Sequence, residues 1–292
     1  RTVLLVCLVW SSSWALEDDF AGIVLWSEGR SATTTLAMSL HTAGIPFCKL
    51  GGVQLKETFY HDMTTKAIQE CTATVAGPAV LTHVKPVFLW KTEQNHPEEA
   101  LNSTKDMFTA FSEAGFTTVV ANIRQNQLAR DLSAFELDMK TKHGTEAFYD
   151  DALRQAEAET YFCQQRIVPK YQEWRDLWQQ GILDAVALGF KVHTVTFKEI
   201  VEDVCRPVVE VLALTGKRNL NAYDFECEVK LAQMGKSHVG MPLSDRVGTV
   251  ATDCITEQIN EGGPDFAWML DDNVTALEPP KYTFDTVAFH AD

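Results

Sequence analysis

The segment Gly22-Ile-Val-Leu-Trp26-Ser-Glu-Gly-Arg30-Ser-Ala-Thr-Thr-Thr-Leu36 decides the fold prediction for this chain. Its first five residues form a short apolar run bounded by turn residues, which is typical of a buried β-strand. The hydroxyl-rich residues that follow predict a helix over 33–42, which starts in a threonine-rich cap and stops at Ala-Gly-Ile-Pro. A strand that leads through a polar loop into a helix is the first half of a βαβ unit. We therefore expect this segment to begin a parallel sheet.

The same alternation of apolar runs and helical patterns continues along the chain. We predict further strands over 79–84, 117–123 and 191–196, and further helices over 98–114, 127–139, 152–180 and 199–214. Pro169 predicts a break or kink inside the long helical pattern. Strands separated by helices favour a single α/β domain, in which helices flank a central parallel sheet of four to five strands in three layers. Beyond Gly216 we expect short helices and loops.

The composition limits the class of partner. The 292 residues include 25 Lys and Arg against 40 Asp and Glu, which gives a net charge of −15. A hydrophobic content of 46% with 22% charged residues is that of a globular protein, so disordered and collagen-like classes are excluded. Such an acidic chain argues against nucleic-acid binding, because neutralising phosphates requires a basic surface. Any anionic ligand must be held by a local pocket that works against the overall field.

Residues 1–15 have the pattern of a secretory signal peptide. The cation Arg1 precedes a short apolar run, and small residues lead to Ala15. An uncleaved signal anchor and an ordinary buried strand are the alternatives, and the apolar run is shorter than the ~20 residues that span a bilayer. We expect residues 16–292 to form the globular domain. We also expect a location in the secretory pathway, in the Golgi lumen or outside the cell, with membrane contact only through an uncleaved anchor.

Cysteine and asparagine patterns agree with that location. Removing the N-terminal segment with Cys7 leaves six of the seven cysteines, and an even number permits disulfides in an oxidising compartment. Six cysteines allow 15 pairings, among which the sequence does not choose. Asn102 and Asn273 each begin an Asn-x-Thr sequon for N-glycosylation. We therefore expect a disulfide-bonded glycoprotein with at least one disulfide.

The loop between the first strand and the first helix is a candidate anion site. Backbone N–H groups and the helix dipole converge in such a loop, which suits a phosphate. The residues expected at the anion are Gly29, Arg30, Ser31, Ala32, Thr33, Thr34 and Thr35. Their hydroxyls add donors, and the guanidinium adds a fixed charge. The alternative is a threonine-rich cap on an ordinary helix. The Gly-Lys-Ser/Thr ending of a Walker A loop is absent, so no residue is placed for a γ-phosphate or for magnesium.

The loop resembles a motif of the sulfotransferase family. Gly-Arg-Ser-Ala-Thr-Thr-Thr-Leu at 29–36 is similar to the family's Arg-Ser-Gly-Thr-Thr loop. In those enzymes the loop holds the 5′-phosphosulfate of the donor 3′-phosphoadenosine 5′-phosphosulfate (PAPS). Ala32 replaces the usual glycine, a mild departure if the backbone there is helical and a costly one if φ must be positive.

A second resemblance lies at the end of the second predicted strand, at the edge where parallel sheets bind ligands. Leu-Thr-His-Val-Lys-Pro at 81–86 is similar to the family's Thr-His-Leu-Pro element, whose histidine is the catalytic base. His83 can take a proton from an acceptor hydroxyl or amine, and Lys85 can stabilise charge on the transferred sulfonate. Glu28 is a competing base, because some carbohydrate sulfotransferases use a carboxylate. The alternative for His83 is a half-buried histidine without a chemical role.

A third resemblance implies a site for the 3′-phosphate. Arg124 ends the third predicted strand and Ser133 lies on the next helix, as in the family's 3′-phosphate site, and such a pair suits a phosphomonoester. The spacing of nine resembles a variant form of that motif, in which Gln125 occupies the position of a second arginine. Arg130 is a reserve candidate, although an exposed helix charge is what we expect there. Weaker likenesses at 195–203 and 236–248 add Lys236 and Arg246 as candidate phosphate contacts, with unpaired surface charge as the alternative.

The resemblance runs from about residue 22 to residue 270 and implies a P-loop-like, PAPS-dependent sulfotransferase of the Golgi or carbohydrate type. It implies transfer of a sulfonate to a hydroxyl or amine of a glycan or a small metabolite, without a metal ion. A P-loop nucleotide kinase or hydrolase is the alternative enzyme. A catalytically inactive secreted binding protein on the same scaffold is the alternative from another class.

Overall fold

A computed structural model of the chain describes residues 21–50, 53–54, 59, 63–73, 79–89, 98–124, 127–145, 149–215 and 243–261. The expected signal segment therefore lies outside the described residues, as do the expectations for Gln125, Lys236 and Asn273 and one of the six remaining cysteines, Cys227.

A four-stranded parallel sheet organises the structure, in the strand order β4-β1-β5-β6. In chain order the strands are β1 (Ala21–Ser27), β2 (Lys49–Leu50), β3 (Val53–Gln54), β4 (Ala79–Val84), β5 (Phe116–Ile123) and β6 (Lys191–Thr196). The short strands β2 and β3 form a separate antiparallel pair, which the sequence patterns did not predict. Every residue of β1 and β4 is buried, as expected for parallel strands covered on both faces. The predicted α/β fold is confirmed, and each predicted strand agrees with the structure to within one residue at either end.

Helices cover both faces of the sheet. In chain order they are α1 (Thr33–Thr42), α2 (Thr65–Ala73), α3 (Thr104–Glu113), α4 (Gln127–His143), α5 (Asp151–Ala158), α6 (Ile167–Ala187), α7 (Phe197–Asp203), α8 (Cys205–Leu214), α9 (Leu243–Val247) and α10 (Thr249–Glu261), with a π-helix (Glu159–Gln164) between α5 and α6. Residues of α1, α7 and α8 share a core with one face of the sheet, and residues of α2, α3 and α6 share a core with the other. The three-layer arrangement is therefore the predicted one. A third apolar cluster joins α4, the π-helix and α10.

Two predicted helices begin or break elsewhere than expected. Helix α3 begins at Thr104 rather than at residue 98, because the Ser103 side chain accepts a hydrogen bond from the Asp106 N–H at 3.1 Å and caps the helix. The long helix breaks at Arg166, which has a left-handed φ of 46°, and not at Pro169. Pro169 is the third residue of α6, in the first turn, where a missing N–H removes no helical hydrogen bond.

A pair of tryptophans ties the central strand to the helix behind it. Trp26 Nε1 donates to the carbonyl of Trp178 at 2.7 Å, and Trp178 Nε1 donates to the carbonyl of Trp26 at 3.2 Å. Both side chains are fully buried. Gly181 allows this contact, since a Cβ there would lie 2.9 Å from the Trp26 indole. Trp26, which precedes the candidate loop, is therefore held in a fixed position against α6.

Two disulfides connect described residues, which confirms the prediction of at least one. Cys48 pairs with Cys71 and Cys163 pairs with Cys254, with Cα atoms 5.0 and 5.3 Å apart. The first joins the segment after α1 to α2, and the second joins the π-helix to α10. None of the helices among the described residues has the length and apolarity needed to cross a membrane. The disulfides are compatible with a secreted or lumenal protein.

Candidate functional site

The candidate loop leaves the carboxyl end of β1, between its neighbours β4 and β5. Gly29, Arg30 and Ala32 have left-handed backbones, with φ of 85°, 54° and 59°, whereas Ser31 between the last two does not. Alternation of hand along a short segment turns successive N–H groups toward one side and forms an anion-binding concavity. These three φ values are the structural observation that supports an anion site at this loop.

Ala32 occupies a position that favours glycine. Its φ of 59° lies in the left-handed region, where a side chain costs about 1 kcal/mol or more. Alanine in place of the glycine of the similar sulfotransferase motif therefore strains the backbone here. Ala32 is also the N-cap residue of α1 and caps it through no side-chain hydrogen bond. The N-cap position of α1 is thus held by a residue without a hydroxyl.

Asn122 holds the first turn of α1 against the sheet. Its Oδ1 accepts hydrogen bonds from the hydroxyls of Ser31 and Thr33, the latter at 2.9 Å. Its Nδ2 donates to the carbonyl of Val195 on β6 at 3.1 Å. Two of the four hydroxyls expected at the anion therefore position the loop in this structure. The sequence reasoning did not single out Asn122, and its place at the end of a predicted strand was the signal available.

The predicted pair Arg124 and Ser133 lies directly beside the predicted loop. Arg30 donates from Nε and Nη2 to Ser133 Oγ, at 3.1 and 2.9 Å. Arg124 Nη1 donates to the carbonyl of Arg30 at 3.4 Å, and its guanidinium lies 4.2 Å from the ring centre of Phe197. The fold therefore joins two motifs that are about a hundred residues apart in the chain. Phe197, the first residue of α7, was not predicted as part of the site.

Positive charge is concentrated around Arg124. Burial, and then the neighbouring charges of Arg30 and Arg246, lower the pKa of Arg124 to about 10. Glu136 opposes this shift, and it also accepts a hydrogen bond from Arg246 Nη2 at 2.8 Å. Arg124 stays protonated at neutral pH, so the site keeps its charge although the chain carries −15 overall. A bound anion would relieve the repulsion among these guanidinium groups.

A buried ion cluster lies beneath the loop. The Glu28 side chain is fully buried, with Arg130 Nη1 at 3.6 Å from one carboxylate oxygen and Arg175 Nε at 3.4 Å from the other. Arg130 also pairs with Asp131 at 3.0 Å. The expectation of an exposed helix charge at Arg130 is wrong, because its side chain is 1% exposed and turned inward to Glu28. Arg175, on α6, was not predicted, since nothing in its local sequence distinguishes it from other helix charges.

His83 and Lys85 lie on the β4 side of the loop. His83 is 1% exposed, so it is fully buried rather than half-buried, and its Nε2 lies 2.8 Å from Ser27 Oγ. The Lys85 side chain runs beside the loop, with Cδ and Cε 3.8 Å from where a Cβ of Gly29 would lie. The loop thus has an imidazole and an ammonium on one side, and the guanidinium groups around Arg124 on the other.

Within the described ranges, no group of three or more His, Cys, Asp or Glu side chains is placed to hold a metal ion. Comparisons of the chain with protein-family models, with characterised proteins and with solved structures gave no match.

Proposed function

We propose that this protein is a sulfotransferase that moves a sulfonate group from PAPS to a hydroxyl or an amine of an acceptor. One observation carries the proposal: Arg30, Arg124 and Ser133 meet beside a left-handed loop at the carboxyl edge of a parallel sheet. Ligands of open α/β sheets bind at that edge. PAPS carries a phosphosulfate at the 5′ position and a phosphate at the 3′ position, and the site offers one group of donors for each.

The two groups of donors have different chemistry. The loop offers backbone N–H groups and the first turn of α1, which suit the 5′-phosphosulfate. Arg124 offers a guanidinium stacked on Phe197, and Ser133 offers a hydroxyl, which together suit the 3′-phosphate. Ser133 Oγ accepts two N–H groups from Arg30, so its own proton remains to be donated to a phosphate oxygen.

In the proposed reaction, an acceptor oxygen or nitrogen forms a bond to sulfur as the bond from sulfur to the phosphate oxygen breaks. The acceptor loses its proton to His83, and adenosine 3′,5′-bisphosphate leaves. In this conformation His83 Nε2 contacts Ser27 Oγ at 2.8 Å, so the acceptor must either displace that hydroxyl or use it as a relay to reach the base. Lys85 and Arg30 would stabilise the charge that shifts onto the bridging oxygen. Positioning and charge supply most of the rate enhancement.

Glu28 has a structural role in this proposal. Its carboxylate lies between two buried guanidinium groups and beneath the loop, which holds the left-handed turn in place. The competing assignment of Glu28 as the base requires a carboxylate that is already paired with Arg130 and Arg175 to take the proton, whereas His83, although equally buried, has a hydroxyl at its Nε2. We therefore assign the base to His83. The proposed acceptor is a glycan or a small metabolite, as the disulfides suit a lumenal enzyme.

The decisive experiment measures nucleotide binding before any acceptor is known. Calorimetry should show adenosine 3′,5′-bisphosphate binding more tightly than adenosine 5′-monophosphate, with no effect of magnesium. Equal affinities, or magnesium-dependent ATP binding, would contradict the proposal and favour a kinase or hydrolase. Transfer of labelled sulfonate from PAPS onto pooled acceptors then separates an enzyme from an inactive binding protein.

A further inference from the structure

We infer that Asn102 carries an N-linked glycan, attached before helix α3 packs against helix α6. The donor class is an oligosaccharide joined through pyrophosphate to a membrane lipid. The Asn102 amide nitrogen forms a bond to the first sugar carbon and loses one proton. The bond between that carbon and the pyrophosphate oxygen breaks, and the lipid pyrophosphate leaves.

Asn102 is exposed, whereas both flanks of the sequon are fixed. On one side, Ala100 forms an isolated antiparallel bridge with Thr64. On the other side, Ser103 caps α3 by accepting from the Asp106 N–H and donating to the Asp106 carboxylate at 2.8 Å. A glycan on Asn102 would extend into solvent and would displace no core side chain. The folded protein therefore tolerates the modification.

Thr104 supplies the hydroxyl that makes the segment a sequon, and the folded protein uses that hydroxyl elsewhere. Thr104 is 2% exposed, and its Oγ1 donates to the Asp184 carboxylate on α6. Gln180 donates to the same carboxylate at 3.0 Å, so Asp184 is held in place to accept. A glycan transferase that must contact the hydroxyl finds it buried in the folded chain.

The order of synthesis removes this obstacle. Asp184 lies 80 residues after Thr104, so the partner that buries the hydroxyl does not yet exist when the sequon emerges into the lumen. Until then the segment can adopt the extended form that a transferase binds. The two disulfides between described residues are compatible with the oxidising compartment where such transfer takes place. The structure thus assigns the modification to the growing chain.

The site is tested with the full chain secreted from eukaryotic cells behind a standard secretion leader. Peptide mapping with and without peptide-N-glycosidase F should show Asn102 glycosylated in most molecules, and Asn102→Gln should remove that glycan. Thr104→Val, which keeps the shape but lacks the hydroxyl, should also remove it. Ser103→Ala, which keeps the sequon and removes the cap, should retain it. Unmodified Asn102 in most secreted wild-type molecules would overturn the site.

The timing is tested with chain refolded from bacteria and offered to microsomes that contain the lipid-linked donor. The folded protein should stay unmodified at Asn102, while a synthetic peptide covering residues 98–108 should be glycosylated. Equal modification of folded protein and peptide would overturn the timing. Circular dichroism of the refolded chain confirms that the acceptor was folded, and an unmodified peptide would overturn the sequon itself as an acceptor.

Discussion

His83 is the residue whose replacement separates chemistry from binding. Because His83 lies on β4, on the other side of the loop from Arg124 and Ser133, His83→Ala should leave the affinity for adenosine 3′,5′-bisphosphate nearly unchanged. Loss of the base should lower turnover by roughly 10²–10⁴. Steady-state sulfonate transfer with calorimetry measures both. Ser27→Ala is measured in parallel. Near-normal turnover in His83→Ala would contradict the assignment of His83 and point to Glu28 as the base.

Arg124 is the residue expected to recognise the 3′-phosphate. A charge-assisted contact is worth roughly 1.5–3 kcal/mol, so Arg124→Ala should erase most of a ten- to hundredfold preference for adenosine 3′,5′-bisphosphate over the 5′-monophosphate. Arg30→Ala should weaken both nucleotides, because the loop holds the shared 5′ group.

The contact between Arg30 and Ser133 adds a second effect to that variant. Without the guanidinium, Ser133 is no longer oriented by two N–H donors, so part of the 3′ preference should also be lost in Arg30→Ala. Calorimetric ratios for wild type and the single variants measure this. An unchanged ratio in Arg124→Ala would remove Arg124 from the 3′ site.

At the scale of elements, strand β1 and helix α6 are held together by close approach at Gly181. Gly181→Ala would place a methyl group 2.9 Å from the Trp26 indole, and overpacking of this kind costs roughly 1–3 kcal/mol. The matched control is Val186→Ala on the same helix, where the side chain is exposed and the expected loss is smaller. Chemical denaturation measures both. Equal stabilities would show that α6 can move away from β1 without cost.

In the buried ion cluster, Glu28 joins the loop to Arg130 on α4 and to Arg175 on α6. Glu28→Gln keeps the shape of the side chain but leaves Arg130 and Arg175 without this carboxylate, and removal of one partner of a buried ion pair costs roughly 3–5 kcal/mol. Denaturant unfolding of the variant measures the loss. Lys142→Ala on α4 is the control, because its ion pair with Asp138 is exposed and contributes little. A Glu28→Gln variant as stable as wild type would contradict the structural role of the cluster.

At the scale of the whole molecule, the two disulfides that join described residues should stabilise the fold unequally. They close segments of 23 and 91 residues, and in the chain-entropy model the longer loop contributes about 1 kcal/mol more, within a range of ~2–5 kcal/mol each. Paired alanine variants should therefore lose more stability at Cys163 and Cys254 than at Cys48 and Cys71. Denaturant unfolding measures the difference. Mass spectrometry that finds these four thiols free in the secreted protein would contradict both disulfides and the expected compartment.

The strands of the sheet and their mutual direction could be predicted from the sequence, because short apolar runs and helical patterns are local signals. The same holds for the boundaries of α1, where a threonine-rich start and a Gly-Ile-Pro stop lie within a few residues of the helix. The start of α3 was predicted too early, because the helical pattern extends back to residue 98. The Ser103 cap begins the helix at Thr104.

The fold class, the loop and the candidate residues Arg30, His83, Arg124 and Ser133 could be predicted from local sequence patterns, because each stands at the end of a strand or on the next helix. The other features of the site depend on contacts between distant segments. Arg130 turned inward because Glu28 and Asp131 are there to receive it, and Arg175 joined them from α6, 45 residues farther along the chain. Asn122 became the anchor of the loop through partners on other elements. A side chain's charge and shape are written in the sequence, but its partners are set by the fold, because contacts between distant segments form only when the sheet assembles.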